Sequence, residues 1–235
     1  MKYIAIPEGT TEERVLLSLV EPNSFTILKG EGKSTIRAKI VALYPDVVNG
    51  LRCLILRDVD KGEELAQIVQ SVEDACGSLL NKGGYPTLRA IFTRHETYAN
   101  IYSCVFPTPD VRFTLHIAGQ KWHDNFTKST IDDYILDLAL QKSVVEEMIN
   151  GKGIEWSSVS SDEIVSKVTK EVPALLTHNQ IPLHEAKDYI RLYAAIMQLH
   201  TSPPIFADVV LKKAERLQKE RVLGSLLAAI AFLRG

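Results

Sequence analysis

Short apolar runs alternate with amphipathic helical patterns over the first 80 residues, and this alternation restricts the possible folds more than any other feature of the sequence. The apolar runs have the length of buried strands, and the segments between them carry apolar residues at the three- and four-residue spacing of a helix. Strands that alternate with helices predict a mostly parallel sheet covered by helices, an α/β fold. The expected strands are 3–6, 25–28 and 51–56, and the expected helices are 11–20, 33–43 and 63–80.

The predicted secondary structure changes at about residue 143. Apolar runs at 88–93 and 112–117 predict two further strands, and a capped helix is expected over 131–140. From about residue 143 only helical periodicity remains. We therefore expect an α/β domain over 1–142, followed by a smaller all-helical domain over 143–235.

Composition excludes several classes of protein. The 235 residues carry a formal net charge of −2, so any binding of nucleic acid has to come from a local patch. Three cysteines without a Cys-x-x-Cys pair argue against a disulfide framework or a cysteine zinc site, and a reducing, cytoplasmic setting is expected. The longest apolar stretch, 223–233, is about half the length that spans a bilayer, so no membrane association is expected.

Three carboxylates follow predicted strands. Glu8 comes just after the first strand, and Asp58 and Asp60 come just after the third. In an open parallel sheet, ligands bind beyond the carboxyl ends of the strands. Carboxylates that converge there repel one another unless a cation neutralises them, and oxygen ligands suit Mg²⁺ or Mn²⁺. Neighbouring Gly9 and Gly62 allow a backbone to approach a ligand closely.

A structural interpretation of the same residues stays open. Acidic side chains are favourable at helix amino termini, so Asp58 and Asp60 would then cap the helix expected to begin near residue 61. Glu8 would then do no more than begin a turn. The position of all three at strand ends favours the metal site.

A glycine-rich segment, residues 30–35, lies between a strand and a helix, as a phosphate-binding loop does. The complete ATPase pattern requires a glycine at position 27, where this chain has Ile, so the loop is too short to wrap a triphosphate. The helix amino terminus at Lys33 and Ser34 is still suited to a single phosphate, which backbone N–H groups and the lysine would hold. Alternatively, Ser34 or Thr35 only caps the helix.

Four segments together resemble the TOPRIM domain, the metal-binding module of topoisomerases, bacterial primases and OLD-family nucleases. Residues 6–12 (Ile-Pro-Glu-Gly-Thr-Thr-Glu) resemble its opening glutamate motif, and residues 56–62 (Leu-Arg-Asp-Val-Asp-Lys-Gly) resemble its Asp-x-Asp segment. Residues 30–34 look like the Gly-Gly-Lys-Ser of OLD-type members, and residues 130–136 look like the acidic helix of small stand-alone TOPRIM-like proteins. Pro7 departs from the pattern, which has an apolar residue before the glutamate.

The resemblance implies a TOPRIM-like, Rossmann-like sheet over residues 1–140 and assigns roles to its residues. Glu8 would act as general acid/base or metal ligand, and Asp58 and Asp60 would hold Mg²⁺. Asp132 or Asp133 would complete a second metal position. The remaining expected contacts are to phosphate, from Gly9, Lys33 and Ser34.

The function expected on these grounds is Mg²⁺-dependent (or Mn²⁺-dependent) hydrolysis of phosphodiester bonds in DNA or RNA. The alternative is a TOPRIM-fold protein without catalysis, which holds a nucleic acid, a nucleotide or a protein partner. Nucleotidyl transfer of the primase kind ranks below both, because the sequence has no zinc-binding module of that kind.

Overall fold

The computed structural model describes residues 2–234 and divides into two compact units. The first unit runs to residue 119 and includes the carboxy-terminal segment from 224, whereas the second comprises 120–223. The boundary expected after residue 142 therefore falls inside the second unit. No helix in the described part is long and apolar enough to cross a membrane.

Six strands and eleven α-helices account for most of the described residues. In chain order they are β1 (Lys2–Ile6), α1 (Thr10–Leu19), β2 (Thr26–Ile27), α2 (Lys33–Ala42), β3 (Leu51–Arg57), α3 (Leu65–Lys82), β4 (Thr93–Arg94), β5 (Ile101–Phe106), β6 (Val111–Ile117), α4 (Ile131–Ala139), α5 (Lys142–Asn150), α6 (Ser161–Ser166), α7 (Val172–His178), α8 (Ala186–Ile196), α9 (Pro203–Lys213), α10 (Arg216–Val222) and α11 (Gly224–Arg234).

The first unit is built on a six-stranded sheet of order β2-β1-β3-β6-β5-β4. The four strands β2, β1, β3 and β6 are parallel, and β5 and β4 add an antiparallel edge. Every residue of β3 is buried, as expected for a central parallel strand that is covered on both faces. The predicted α/β class with a mostly parallel sheet and flanking helices is confirmed.

One predicted strand is wrong. Residues 88–92 are not part of the sheet, although Ala90 and Phe92 are buried against the core. The backbone N–H of Phe92 donates instead to the carboxylate of Glu73 on α3, at 2.7 Å. A side chain on the helix thus provides the partner that a neighbouring strand would otherwise supply.

The carboxy-terminal helix belongs to the sheet domain. Helix α11 packs against β3 and β6. The guanidinium of Arg112 on β6 donates to the carbonyl of Phe232 at 2.6 Å. Ser225 near the start of the helix lies 2.9 Å from Nε2 of the buried His116 on β6.

His116 makes the stability of the protein pH-dependent. Burial lowers its pKa to about 4, from 6.5 in an exposed imidazole. Between these values the unfolded chain takes up a proton that the folded chain does not, so stability falls as pH drops from 6.5 to about 4. We expect His116 to account for about 3 kcal/mol of that fall in the free energy of unfolding.

Urea unfolding of the wild type and of His116→Gln at pH 7 and pH 4.5 measures this contribution. The loss of stability with acid should be clearly smaller in His116→Gln. The same substitution at the exposed His178 is the control for replacing a histidine by glutamine at the surface. Equal pH dependence in the wild type and His116→Gln would contradict the prediction.

The second unit is all-helical, as the periodicity after residue 143 indicated. Its helix α4 packs against α8 and α9. A capping box begins α4, in which the side chains of Thr130 and Asp133 bond reciprocally to backbone N–H groups. The helix expected over 131–140 is confirmed.

Candidate functional site

Glu8 and Asp58 leave the sheet at the same edge. Strands β1 and β3 are parallel neighbours, with Ile6 opposite Ile55, so their carboxyl ends lie side by side. The carboxylate of Glu8 accepts a hydrogen bond from the backbone N–H of Asp58 at 3.2 Å. The Glu8 carboxylate therefore contacts the backbone of Asp58.

Arg57, the last residue of β3, organises this edge. Its guanidinium Nε donates to Glu8 Oε2 at 2.8 Å, and Nη2 donates to Glu63 Oε1 at 3.2 Å. Arg57 is only 5% exposed, so both contacts lie where the screening by solvent is weak. One buried cation thus holds two carboxylates from different segments of the chain.

Lys33 connects the glycine-rich loop to the same cluster. Its ammonium lies 2.7 Å from Asp60 Oδ2 and 3.7 Å from Glu63 Oε1. Glu63 also accepts a hydrogen bond from the backbone N–H of Asp60 at 3.2 Å, which closes the turn after β3. Ionic contacts therefore run without interruption from Glu8 to Asp60.

Close packing of the glycine-rich loop on the end of β1 brings Lys33 to this position. Gly32, with φ of +89°, donates its N–H to the carbonyl of Glu8 at 2.9 Å. A Cβ atom at Gly30 would lie 2.5 Å from the backbone of Glu8, so only glycine allows the two segments to approach this closely. Lys33 then begins α2 directly beside the carboxylates.

The site carries more negative than positive charge. Four carboxylates (Glu8, Asp58, Asp60 and Glu63) accompany two cations (Arg57 and Lys33), which leaves an excess of two negative charges. We call these six residues the acidic cluster. Burial raises the pKa of Glu8, although the charge of Arg57 and the hydrogen bond from Asp58 act in the opposite direction. Glu8 therefore holds a proton more readily than an exposed glutamate does.

Two helices begin beside the acidic cluster. Helix α1 follows Gly9, and α2 follows Gly32, and no side chain caps either of them. Backbone N–H groups in an uncapped first turn are favourable partners for an anion. Ser34 is the second residue of α2 and is exposed. The predicted phosphate-binding residues Gly9, Lys33 and Ser34 thus all lie at this edge.

The capping interpretation is wrong for Asp58 and Asp60. Helix α3 begins at Leu65, and its cap is Glu64, which forms a capping box with Gln67. Neither aspartate occupies the cap position.

Asp132 and Asp133 lie in the second unit, on α4, and both are buried. Asp133 accepts hydrogen bonds from the backbone N–H groups of Trp122 and Thr130, at 2.9 and 2.8 Å. Asp132 lies 3.6 Å from the ammonium of Lys187. These contacts stabilise the start of α4, and the assignment of the two residues to a second metal position stays a prediction.

Arg57 and Glu63 also belong to the site, although neither was predicted from the sequence. The signal for Arg57 was present, since it is a charged residue at the end of an otherwise apolar strand, where burial requires a partner. Glu63 had no comparable signal, because an acidic residue in a turn is ordinary. Between residues 2 and 234, no three His, Cys, Asp or Glu side chains already form an arrangement that could hold a metal ion.

Comparison with known proteins identified no relative of this chain. It matches no family model, no curated protein and no solved structure. The resemblance to TOPRIM domains therefore stays a prediction, which depends on the quoted sequence segments.

Proposed function

We propose that the sheet domain is a metal-dependent nuclease that hydrolyses phosphodiester bonds in DNA or RNA. The observation that carries the proposal is the acidic cluster, in which carboxylates from the ends of two neighbouring parallel strands adjoin a lysine at a helix amino terminus. Carboxylates suit a divalent cation, and the lysine and helix suit a phosphate. The resemblance of segments 6–12 and 56–62 to TOPRIM motifs supports the same activity.

The donor set fits Mg²⁺ or Mn²⁺. Glu8, Asp58 and Asp60 would be the ligands, and all three offer hard carboxylate oxygens. Both hydrogen bonds to the Glu8 carboxylate go to Oε2, and Oε1 accepts none from residues 2–234. Lys33 and Asp60 form an ion pair that is open to solvent, so water screens it and a cation can replace the lysine at little cost.

The residues of the chain then have separate tasks. When bound, the metal would orient the scissile phosphate and lower the pKa of a bound water. Glu8, whose pKa is raised, is suited to accept or return a proton. Arg57 keeps the Glu8 carboxylate in one orientation, and Lys33, once it leaves Asp60, contacts the phosphate together with the first turn of α2.

A cleavage assay tests the proposal. The purified 235-residue chain is incubated with supercoiled plasmid, single-stranded DNA and structured RNA, in Mg²⁺, Mn²⁺ or EDTA. We expect cutting of at least one substrate with metal and none with EDTA. The substrate that is cut identifies the class of nucleic acid.

One observation favours a second candidate, a binding protein without catalysis. Lys33 and Arg57 already neutralise part of the acidic cluster, as they would in a site that only recognises its ligand. A folded protein that binds nucleic acid but cuts none of the three substrates, although calorimetry detects bound Mg²⁺, would contradict hydrolysis and support this candidate.

A further inference from the structure

The helical unit has a cavity of its own. Its volume is about 440 Å³, which is in the range of small-molecule sites, and it lies between the segment that precedes α4, the helical segment 167–178 and the start of α8. Its lining includes His123, Phe126, Lys170, Pro173, His184 and Tyr189. We call it the aromatic pocket.

A widened helical turn forms one wall of the aromatic pocket. Residues Lys167–Glu171 adopt a π-helix, in which the N–H of Val172 bonds to the carbonyl of Lys167, five residues earlier. The cause is Pro173, which has no N–H to donate to the carbonyl of Thr169 and whose ring would clash with it in a regular α-helix. Single π-turns are frequent at functional sites, and this turn carries Lys170, which lines the cavity.

Another part of the lining consists of packed aromatic rings. The Phe126 ring lies 5.4 Å from Tyr189 and 5.8 Å from His123, measured between centroids. Trp122 packs behind them, 5.2 Å from Tyr189. Phe126 and Tyr189 are buried whereas His123 is exposed, so the wall is rigid at its base and accessible at its rim.

The polar groups of the aromatic pocket favour an anion. Its lining includes Lys170 and two histidines but neither aspartate nor glutamate. Within the described part of the chain, Lys170 makes no ion pair, and the only hydrogen bond to the His123 ring is the one that Nδ1 accepts from the N–H of Asn125 at 3.2 Å. This contact favours the tautomer in which Nε2 of His123 would be the donor to a ligand.

Two acidic residues near the lining have partners of their own. Asp188 accepts hydrogen bonds from the N–H of His184 at 3.0 Å and from the guanidinium of Arg191 at 3.3 Å. Glu185 pairs with Lys128 at 3.3 Å. Neither of these two carboxylates therefore pairs with Lys170.

We propose that the aromatic pocket binds a nucleotide, with the base against the aromatic wall and the phosphate at Lys170 and His123. Stacking on aromatic side chains accommodates every base, because each base has a π-face, and a neighbouring cation adds attraction for the phosphate. A free nucleotide and a nucleotide within a single strand share this chemistry. The site is separate from the acidic cluster and does not depend on the proposed hydrolysis.

Tryptophan fluorescence tests this proposal without an activity measurement. The protein has two tryptophans, so Trp156→Phe leaves Trp122 as the reporter beside the aromatic wall. This variant is titrated with AMP, ribose 5-phosphate and a short single-stranded oligonucleotide. We expect saturable binding of AMP or the oligonucleotide, and much weaker binding of ribose 5-phosphate, which has no base. Tighter binding of one of the first two identifies the natural source of the nucleotide.

Point variants assign the binding to the aromatic pocket. Lys170→Gln and His123→Ala are each expected to weaken nucleotide binding about tenfold, the loss typical of one hydrogen bond to a charged group. Both residues are exposed, so the fold should persist, which circular dichroism checks. The matched control is Lys167→Gln, on the same π-turn, because Lys167 pairs with Glu163 and does not line the pocket.

Three outcomes would overturn the proposal. One is the absence of binding by AMP and by the oligonucleotide at millimolar concentration. Another is equal affinity for AMP and ribose 5-phosphate, because stacking would then contribute nothing. The third is an equal loss in Lys170→Gln and Lys167→Gln, which would indicate unspecific attraction to positive charge.

Discussion

Replacing Asp58 and Asp60 together by asparagine is expected to reduce metal-dependent cleavage by on the order of 10³-fold or more. Removing a single preorganised group that stabilises charge in a transition state already costs about 10²–10³-fold. The double variant keeps the size of both side chains but loses the negative charge that would hold the cation. Initial rates on the substrate that the wild type cuts measure the effect.

Stability provides an independent readout of the same variant. The acidic cluster has excess negative charge, so Asp58→Asn/Asp60→Asn should melt at the wild-type temperature or above it. Millimolar Mg²⁺ should stabilise the wild type, because a ligand that binds only the folded state raises stability, and should leave the variant unchanged.

The matched control is Asp46→Asn/Asp110→Asn, which removes the same charge from the segments that precede β3 and β6. It should cleave at the wild-type rate. Unchanged cleavage by Asp58→Asn/Asp60→Asn, or an equal loss in both double variants, would contradict the assignment of the acidic cluster as the active site.

Replacing Arg57 by methionine is expected to lower the free energy of unfolding by about 3–5 kcal/mol, the usual cost of removing one partner from a buried ionic contact. Arg57 is almost completely buried and compensates both Glu8 and Glu63. Methionine fills similar volume, so loss of packing contributes little. Urea unfolding at pH 8 measures the difference.

The pH dependence of this loss identifies its cause. Without Arg57 the pKa of Glu8 should rise further in the folded state, because the main remaining influence is burial. A carboxyl group whose folded-state pKa is raised destabilises the fold at high pH, and protonation relieves that penalty as pH falls. The deficit of Arg57→Met should therefore be smaller at pH 5 than at pH 8.

Arg52→Met serves as the control, since Arg52 is a second arginine on β3 and is nearly as buried. Its partner Asp110 has a half-exposed side chain that stays solvated after the arginine is removed. The loss of stability should be smaller and should not shrink at low pH. A loss in Arg57→Met no larger than that in Arg52→Met would show that Arg57 does not compensate buried charge.

That Glu8, Asp58 and Asp60 follow the ends of two neighbouring parallel strands could be predicted, because it depends on local pattern. Buried strands are recognisable as continuous apolar runs, and the residues that follow parallel neighbours share an edge. Arg57 and Glu63 could not be assigned to the site in the same way, because their role depends on which segment lies opposite each of them.

The segment 88–92 shows where pattern fails. Its composition is that of a strand, and its side chains are buried as those of a strand would be. Whether it joins a sheet depends on which partner its backbone meets, and Glu73 on α3 supplies that partner. A short apolar run is expected both for a buried segment outside a sheet and for a paired strand, so the sequence does not distinguish them.

The sequence by itself determined the α/β class and the central parallel strands, because periodicity and strand ends are properties of contiguous residues. The tertiary structure alone decided that α11 returns to cover β3 and β6, and that 120–223 forms a unit of its own. It also decided that Arg57 and Lys33 connect the acidic residues. Each of these features joins residues that are far apart in the chain. The surfaces that meet are those with complementary burial and charge, and a local sequence pattern does not contain that information.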